Sequence, residues 1–574
     1  MISTLKKINF LITKRQRKGL IILTLLLFVG MILEIFGLGI LIPTLSLILD
    51  SEMIEKTSYI SSIKSFLPVF SNQNFTILFL GVVTLLYFIK ALFLVFLTHK
   101  QNRFLANISS SISNNLFSFY MSQPYSFHLN RNASELIKNI QVEIGYLAYF
   151  LFSFITIFIE AGFALSVLGT LVYIEPLGAI SIGVFYGFLS VIFLQFTKRK
   201  LNNWGKLRQD IDAQVSKTAL EGLGGIKDLL ILGKISFFTE EFSKKNYLKA
   251  RVTSNHGTFS QIPRFYLELI SLVGLISFII LLLYQGKDTT SLITVLGVFV
   301  AATFRMIPSL NRIIGATQSL KYYYPSLDII YKELKMHTEI SNEFNQIEDF
   351  NLHDGIEFKN VNFRFVKGNK ILKGIDLKIN KGETIGIIGE SGSGKSTLID
   401  LLIGLHKPTS GQIFIDGVSN FQTNQSWRNK IGYVSQSIYL TDDTIKNNIA
   451  LGIPEIKINE RRINELLKKV KLEKFINNLE LGLNTKVGER GVQLSGGQRQ
   501  RIGIARALYN DPDVLILDEA TSALDAETER GVMKSFNSLR GGKTIIMIAH
   551  RLTTLKDCDD IYKIENGRIQ KRIK

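Results

Sequence analysis

Residues 389–396 read Gly389-Glu390-Ser391-Gly392-Ser393-Gly394-Lys395-Ser396. They follow an apolar run at 385–388 that is typical of a buried strand, and a helical pattern begins at Thr397. We expect Thr397, together with residues 389–396, to contact the phosphates. Glycines at these spacings let the backbone wrap closely around phosphates, which the N-terminus of the next helix also favours. Lys395 supplies a cation to the β- and γ-phosphates, and the Ser396 hydroxyl is a Mg²⁺ ligand. The stretch therefore predicts a strand, a phosphate-binding loop and a helix that hold ATP with Mg²⁺.

A second stretch adds the acids that this chemistry requires. Val514-Leu515-Ile516-Leu517-Asp518-Glu519 is an apolar run that ends in two carboxylates. Such a run predicts a buried strand, whose tip lies at the sheet edge where ligands bind. Asp518 suits Mg²⁺, through water, and Glu519 suits a general base that polarises the attacking water. The alternative, an acid pair that merely ends a strand at the surface, is disfavoured by the upstream phosphate loop.

The overall composition indicates two domains of unlike character. The chain has 574 residues, too many for one core, and combines 46% hydrophobic with 20% charged residues. Its one cysteine, Cys558, excludes an intramolecular disulfide framework. The net charge of +19 fits either a nucleic-acid-binding face or basic residues beside membrane spans. We expect the second, and no nucleic-acid partner, because Lys and Arg without any acid precede the first apolar run.

Six stretches are apolar over about the 20 residues that a helix needs to cross a bilayer. They are roughly 20–49, 75–98, 145–173, 177–197, 265–285 and 290–312. An even number of spans places both chain ends on one side, and the basic N-terminus places that side in the cytoplasm. The polar stretches at about 99–144 and 198–264 then lie in the cytoplasm, where we expect the helices to continue.

A change of composition after Lys335 separates the two parts of the chain. We predict an integral-membrane all-α domain of six transmembrane helices at residues 1–335, a linker at 336–354 and an α/β P-loop ATPase domain at 355–574. The first outer loop, residues 51–68, has apolar residues at near-helical spacing. This fits a helix in the outer headgroup layer, and an irregular loop is the alternative.

A glycine-rich stretch, Leu494-Ser495-Gly496-Gly497-Gln498, resembles the signature of ATP-binding-cassette (ABC) proteins. With six preceding spans, the resemblance implies the exporter arrangement. It implies that Gln436 senses Mg²⁺ and faces the membrane domain, and that His550 contacts the γ-phosphate. It also implies that Phe365 stacks on adenine where the family usually has tyrosine, and that Asp525 belongs to the D-loop.

The same resemblance implies that the chain pairs with a second copy. In that family the loop Ser495–Gly497 contacts ATP held by the opposite ATPase domain, so a chain with one such domain is half a transporter. None of the ATPase motifs is degenerate, which favours a homodimer. Exporters also carry short coupling helices in their cytoplasmic extensions, and the candidates here are residues 123–130 and 222–230.

Four basic residues lie within the predicted spans or at their cytoplasmic ends: Lys90, Arg264, Arg305 and Arg312. Charged residues inside spans are functional by default, because inserting each one costs about 2.5–3.5 kcal/mol. At 1.5 Å per residue they form two tiers, roughly 23 and 32 Å below the outer ends of the spans. Such tiers suit an anion such as pyrophosphate, since arginine binds phosphate oxygens in pairs. Alternatively, the lower tier is ordinary cytoplasmic charge, and Glu34, Glu160 and Glu268 are available as partners.

A second resemblance is carried by three stretches: Pro263-Arg264-Phe265-Tyr266-Leu267-Glu268, Phe304-Arg305-Met306-Ile307-Pro308-Ser309-Leu310-Asn311-Arg312-Ile313 and Tyr323-Tyr324-Pro325-Ser326-Leu327-Asp328-Ile329-Ile330-Tyr331. They resemble PglK-type lipid-linked oligosaccharide flippases, over essentially the whole chain. The resemblance implies a flippase that moves an undecaprenyl-pyrophosphate oligosaccharide across the bacterial inner membrane, for protein glycosylation or surface-polysaccharide assembly. It places the three arginines along the pathway, with Lys90 in place of a fourth.

Other functions are open at this point. Export of another amphiphile, such as lipid A, a drug or a peptide, would use the same ATPase domain. An ATP-gated channel or regulator would typically show a degenerate ATPase set, and a soluble DNA-repair ATPase would lack the six spans. The expected partners are a second copy of the chain, membrane lipid and the lipid-pyrophosphate oligosaccharide.

Overall fold

A computed structural model describes residues 2–49, 72–174, 176–284, 289–340, 352–365, 368–419, 425–521, 524–549 and 552–572. The chain forms two compact units. The first consists of Met1–Gln123 and Asn130–Ser341, and the second of Pro124–Leu129 and Asn342–Lys574. The predicted interfacial helix at residues 51–68 lies outside the described residues.

The described part of the first unit is helical. One short helix, α4, lies between these helices along the chain but belongs to the second unit. The helices are α1 Ile2–Leu11, α2 Lys14–Leu49, α3 Asn72–Ser122, α4 Tyr125–Leu129, α5 Ala133–Lys138, α6 Ile144–Ile174, α7 Pro176–Gly224, α8 Ile226–Ile231, α9 Ile235–Tyr284 and α10 Thr289–Ile340. Each predicted span falls in a separate long helix. Short helices occur at both predicted coupling positions, as α4 and α8.

Several of these helices are longer than a membrane requires. The helices α3, α7, α9 and α10 have 51, 49, 50 and 52 residues, whereas a span takes about 20. The polar stretches at 99–144 and 198–264 are therefore largely helical continuations of spans, as expected. Among described residues, three segments are long and apolar enough to cross a membrane, namely Lys14–Gly37, Gln73–Ser122 and Ala133–Gly169. The other three predicted spans include residues whose side chains lie outside the described set.

A buried ionic cluster joins the helical extensions of the first unit. Glu143 is fully buried at the end of a π-helical turn, Asn139–Glu143, just before α6. It accepts a hydrogen bond from Ser326 Oγ of α10 at 2.6 Å and lies 3.5 Å from Arg208 Nη2 of α7. Arg208 is 1% exposed and also donates to Ser326 Oγ at 2.8 Å. The cluster thus connects three long helices through charges that water does not reach.

The second unit is an α/β domain with two sheets. Its strands are β1 Gly355–Arg364, β2 Lys370–Asn380, β3 Thr384–Gly389, β4 Ser410–Ile415, β5 Ile431–Val434, β6 Val514–Asp518, β7 Thr544–Ile548, β8 Asp560–Glu565 and β9 Arg568–Arg572. Its helices of five residues or more, besides α4, are α11 Lys395–Ile403, α12 Gln425–Asn429, α13 Ile445–Ile449, α14 Glu460–Lys469, α15 Glu473–Asn477, α16 Gly496–Tyr509 and α17 Ala526–Asn537. One sheet is antiparallel, in the order β2-β1-β4.

The larger sheet positions the candidate site. Its order is β5-β6-β7-β3-β8-β9, and all neighbouring pairs are parallel except β8 with β9. Every residue of β6 and β7 is buried, as expected for central parallel strands covered on both faces. Parallel alignment brings the carboxyl ends of β3 and β6 to one sheet edge. The predicted fold, a helical membrane domain followed by an α/β P-loop domain, is confirmed.

Candidate nucleotide site and membrane cations

The phosphate loop connects β3 to α11 and depends on glycine at several positions. Gly392 and Gly394 have φ values of +80° and +109°, a region that L side chains rarely adopt. A Cβ on Gly389 would lie 2.4 Å from the Ile564 carbonyl oxygen. Lys395 is buried, and its Nζ donates to the carbonyl oxygens of Gly389 and Glu390 at 2.7 and 2.8 Å. The lysine charge is therefore held inside the loop.

The loop has the chemistry to hold a triphosphate. Ser393 Oγ is buried and has no hydrogen-bond partner among the described residues, so a donor hydroxyl is available there. Ser396 is exposed in the first turn of α11, whose N–H groups favour anions. These residues fit ATP, with Ser396 as a Mg²⁺ ligand. The bound ion would neutralise phosphate charge.

Asp518 ends β6 in a crowded acidic environment. It is 7% exposed, and Tyr433 donates its hydroxyl to Asp518 Oδ2 at 3.4 Å. Burial, together with the charge of Asp518, raises the pKa of Asp400 on α11 to about 6. Sequence reasoning missed Tyr433 and Asp400. The only signal for Asp400 was its position one helical turn after Ser396. Such a concentration of negative charge favours a divalent cation at the tip of β6.

Glu519 has an unusual backbone conformation and accepts hydrogen bonds from two glutamines. Its φ is +49°, uncommon for a residue other than glycine and typical of functional sites. Gln436 Nε2 donates to Glu519 Oε2 at 2.9 Å, and Gln500 Nε2 donates to the Glu519 carbonyl oxygen at 3.0 Å. The structure thus brings together Gln436 and Glu519, which are 83 positions apart. Gln500 was not predicted.

Two residues expected to act in the nucleotide site also cap helices. The Ser495 hydroxyl accepts from the Gln498 backbone N–H at 3.2 Å, while Gln498 Oε1 accepts from the Ser495 backbone N–H at 2.8 Å. This capping box begins α16 and places Gly496 and Gly497 in its first turn. Asp525 Oδ1 accepts from Thr528 N at 2.9 Å and begins α17. Hydrogen bonds from Thr528 hold the pKa of Asp525 below its usual range.

The expected adenine-stacking residue belongs to an aromatic group. Phe365 is 41% exposed. Its ring meets the rings of Phe363 and His406 edge-on, at centroid distances of 5.1 and 5.5 Å. Tyr125 of α4 lies 5.7 Å from the His406 ring, and burial lowers the pKa of His406. Sequence reasoning missed His406, which lies between the ring expected to stack on the base and a candidate coupling helix. His550 lies outside the described residues.

The membrane cations have acidic partners. Lys90 Nζ lies 3.0 Å from Glu34 Oε2, Arg264 Nε lies 3.1 Å from Glu268 Oε1, and Arg312 Nε lies 2.7 Å from Glu160 Oε1. Their side-chain exposures differ, at 13% for Lys90, 67% for Arg264 and 47% for Arg312. The side chain of Arg305 lies outside the described set. The acids named as possible partners are thus in place, while two arginines keep much of their surface exposed.

Comparisons with known proteins agree with this architecture. Residues 20–286 match the family "ABC transporter transmembrane region", and residues 372–522 match "ABC transporter". A putative multidrug export ATP-binding/permease protein of Bacillus subtilis is 39% identical over 47% of each chain, so that alignment spans about half its length. An ATP-dependent lipid A-core flippase of Cupriavidus pinatubonensis is 30% identical over 79% of this chain and 77% of its own. A bacterial Atm1-family ABC exporter structure has a TM-score of 0.74 at 23% identity, covering 97% of this chain and 95% of that chain.

Proposed function

Because this chain belongs to the ABC transporter family, as an exporter that couples ATP hydrolysis to transport, we propose that two copies of it flip a phosphate-bearing lipid. We propose further that the lipid is an undecaprenyl-pyrophosphate oligosaccharide, moved across the bacterial inner membrane for protein glycosylation or surface-polysaccharide assembly. The observation that carries the cargo proposal is the pair of exposed arginines, Arg264 and Arg312, at the cytoplasmic ends of the predicted spans in α9 and α10.

The ATPase part of the proposal rests on Glu519. Its carboxylate would accept a proton from the attacking water, and Gln436 orients it through the 2.9 Å hydrogen bond. Lys395 would move from the loop carbonyls to the phosphates, which are better partners for a cation. Asp518 and Ser396 would hold Mg²⁺, which stabilises the charge that develops on the phosphates. In support of these roles, the residues end or follow β3, β5 and β6, whose carboxyl ends lie at one sheet edge.

The homodimer in the proposal rests on Ser495. Its oxygen accepts the capping hydrogen bond from Gln498 N, which leaves the hydroxyl proton free to donate, since a serine hydroxyl is both donor and acceptor. Ser495 is exposed. A phosphate oxygen of the partner chain's ATP would accept a hydrogen bond from this hydroxyl, as the family signature implies. One side chain would then cap its own helix and complete the partner's site.

The cargo part rests on the donors that remain on the arginines. A guanidinium carries five N–H donors, and a carboxylate that approaches at Nε leaves the two terminal nitrogens for a phosphate. Arg264 and Arg312 both meet their acids at Nε and stay at least 47% exposed. Arg305 lies seven residues before Arg312 and so shares its helix face. Lys90 has the weakest support, because it is only 13% exposed beside Glu34.

A second candidate cargo is another amphiphile such as lipid A, a drug or a peptide. For a drug or a peptide, the support is that the described membrane cations are neutralised by acids, so no anionic ligand is required to balance them. The relatives include proteins named as lipid A-core flippases and a putative multidrug exporter. The two cargoes differ in headgroup, so one assay separates them.

The test is ATP-dependent flipping in proteoliposomes. A fluorescent polyprenyl-pyrophosphate oligosaccharide should cross only with ATP, whereas labelled lipid A and an apolar dye should not. Arg264→Gln/Arg312→Gln should abolish oligosaccharide flipping, and the matched variant Arg251→Gln, an exposed arginine of α9 below the span, should not. Flipping of lipid A alone would replace the first cargo by the second, and unchanged oligosaccharide flipping by the double variant would reject the arginine site.

A further inference from the structure

A cavity of about 500 Å³ lies within the first unit, lined by residues of α1, α6, α7 and α10. Sites for small molecules have volumes of about 300–1,000 Å³. No residue of the nucleotide site lines this cavity, nor does Lys90, Arg264, Arg305 or Arg312. It is therefore a separate candidate binding site that the proposed transport function does not use.

The walls of the cavity are apolar and largely aromatic. They include Phe150, Phe154, Ile157 and Phe158 of α6 and Leu320 of α10. The α6 residues recur three or four positions apart, so they share one face of the helix. They belong to the first half of the span 145–173, counted from its cytoplasmic end. At 1.5 Å per residue, Phe158 lies about 20 Å from that end, which is deep enough for the wall to follow a lipid chain into the leaflet.

The rim of the cavity is cationic. It carries Lys198 and Arg199, which directly follow the apolar run 177–197, and Lys321 of α10. Lys321 Nζ donates to the Leu194 carbonyl oxygen at 3.5 Å. Burial, together with the charge of Lys198, lowers the pKa of Lys321. Lys198 and Lys321 are thus close enough to repel each other.

The three rim cations have no acidic partner among the described residues, unlike two other basic residues of the first unit. Lys7 lies 2.6 Å from Asp328, and Arg312 lies 2.7 Å from Glu160. Within the described part of the chain, no carboxylate oxygen lies within 4.0 Å of a rim cation. Like charges that gather without a counterion indicate that an anion binds there.

We propose that this cavity binds an anionic glycerophospholipid of the cytoplasmic leaflet, with an acyl chain along the α6 wall and its phosphate on Lys198, Arg199 and Lys321. The depth of the cavity matches that leaflet, because Lys198 ends a span on the side that the basic N-terminus places in the cytoplasm. Charge complementarity selects a phosphate headgroup without a compensating ammonium. The site is independent of which cargo the protein carries.

The test is lipid binding to the purified full-length protein, measured by native mass spectrometry with phosphatidylglycerol and with phosphatidylcholine of the same chains. Each lysine near an anionic headgroup strengthens binding about fivefold. Lys198→Gln/Lys321→Gln removes two lysines and should therefore weaken phosphatidylglycerol binding about 25-fold. It should leave phosphatidylcholine binding unchanged. The matched variant Lys100→Gln/Lys206→Gln removes the same charge from exposed positions outside the cavity and should change neither affinity appreciably.

A second variant tests the cavity itself. Ile157→Trp adds volume to the wall and should reduce phosphatidylglycerol binding while the rim charges stay. The proposal is overturned if the two double variants weaken binding equally, if the wild type does not prefer phosphatidylglycerol, or if Ile157→Trp binds it normally. A failed flipping assay would leave this binding result unaffected, so the two proposals fail separately.

Discussion

Glu519→Gln is the substitution for which the structure makes the sharpest prediction. Gln436 Nε2 donates to Glu519 Oε2 at 2.9 Å, and a glutamine side-chain oxygen can accept the same bond, so the local geometry should persist. The backbone φ of +49° costs glutamine no more conformational free energy than it costs glutamate. The change therefore removes the base and little else. A general base contributes about 10²–10⁴-fold, which corresponds to about 2.7–5.5 kcal/mol in the activation barrier.

The expected result is ATP turnover reduced by at least about 100-fold with ATP affinity close to wild type. Phosphate release from the purified protein measures turnover, and equilibrium binding of a fluorescent ATP analogue measures affinity. Glu529→Gln is the matched control, because Glu529 is a nearby acid that accepts a hydrogen bond from Thr521 at 2.9 Å; it should keep near-normal turnover. Turnover within tenfold of wild type in Glu519→Gln would remove Glu519 as the base, and lost ATP binding would show that the side chain is structural.

Three further predictions address stability and the second half of the site. Ser495→Ala should lose about 1 kcal/mol of stability with its cap and most ATP turnover, whereas Ser495→Asn should restore only stability; recovery of both would contradict a donor role toward a partner's ATP. Arg208→Met should lower the free energy of unfolding by about 3 kcal/mol, because it removes one of the two cations beside the buried Glu143 and leaves only Lys138, at 3.5 Å, whereas exposed Arg251→Met should not; equal melting temperatures would refute this. Asp400→Asn should be more stable than the wild type above about pH 6, because folding raises the pKa of the Asp400 carboxyl to about 6. Wild-type stability therefore falls as the pH rises from about 4 to 6, and the asparagine variant lacks this loss. Melting temperatures of the two proteins that change in parallel from pH 4.5 to 7.5 would disprove it.

The conformation of the phosphate loop and the position of the acid pair could be predicted because each depends on a short contiguous stretch. Gly389–Ser396 turns tightly between a strand and a helix, and glycine is required wherever φ is positive or the backbone approaches closely. Asp518 follows four apolar residues, so its position at a strand tip follows from the run itself. Parallel pairing then brings such tips to one edge. The residue types within each stretch were therefore sufficient to predict the positions of the loop and the acid pair.

The orientation of the Glu519 carboxylate could not be predicted in the same way. The bonds from Gln436 and Gln500 to Glu519 depend on how separate segments cross in space. The positive φ of Glu519 could not be predicted from its residue type, because glutamate does not favour that conformation. The capping bond between Ser495 and Gln498 is different, because it is local and follows the Ser-x-x-Gln pattern that commonly begins a helix. Pairing between distant segments is a property of packing, which no single stretch encodes.

The membrane cations show how packing changes the meaning of a charge. Read alone, Lys90, Arg264 and Arg312 are costly insertions that suggest a ligand. Once Glu34, Glu268 and Glu160 are placed beside them, each insertion is a neutral pair, and the need for a ligand disappears. A pyrophosphate would then have to compete with carboxylates already in place. It carries more charge than one carboxylate and reaches both terminal nitrogens of an arginine, so it would bind best where a guanidinium stays exposed. By that criterion Arg264 and Arg312 are better phosphate contacts than Lys90, so neutralising Lys90 should affect helix packing more than cargo selection.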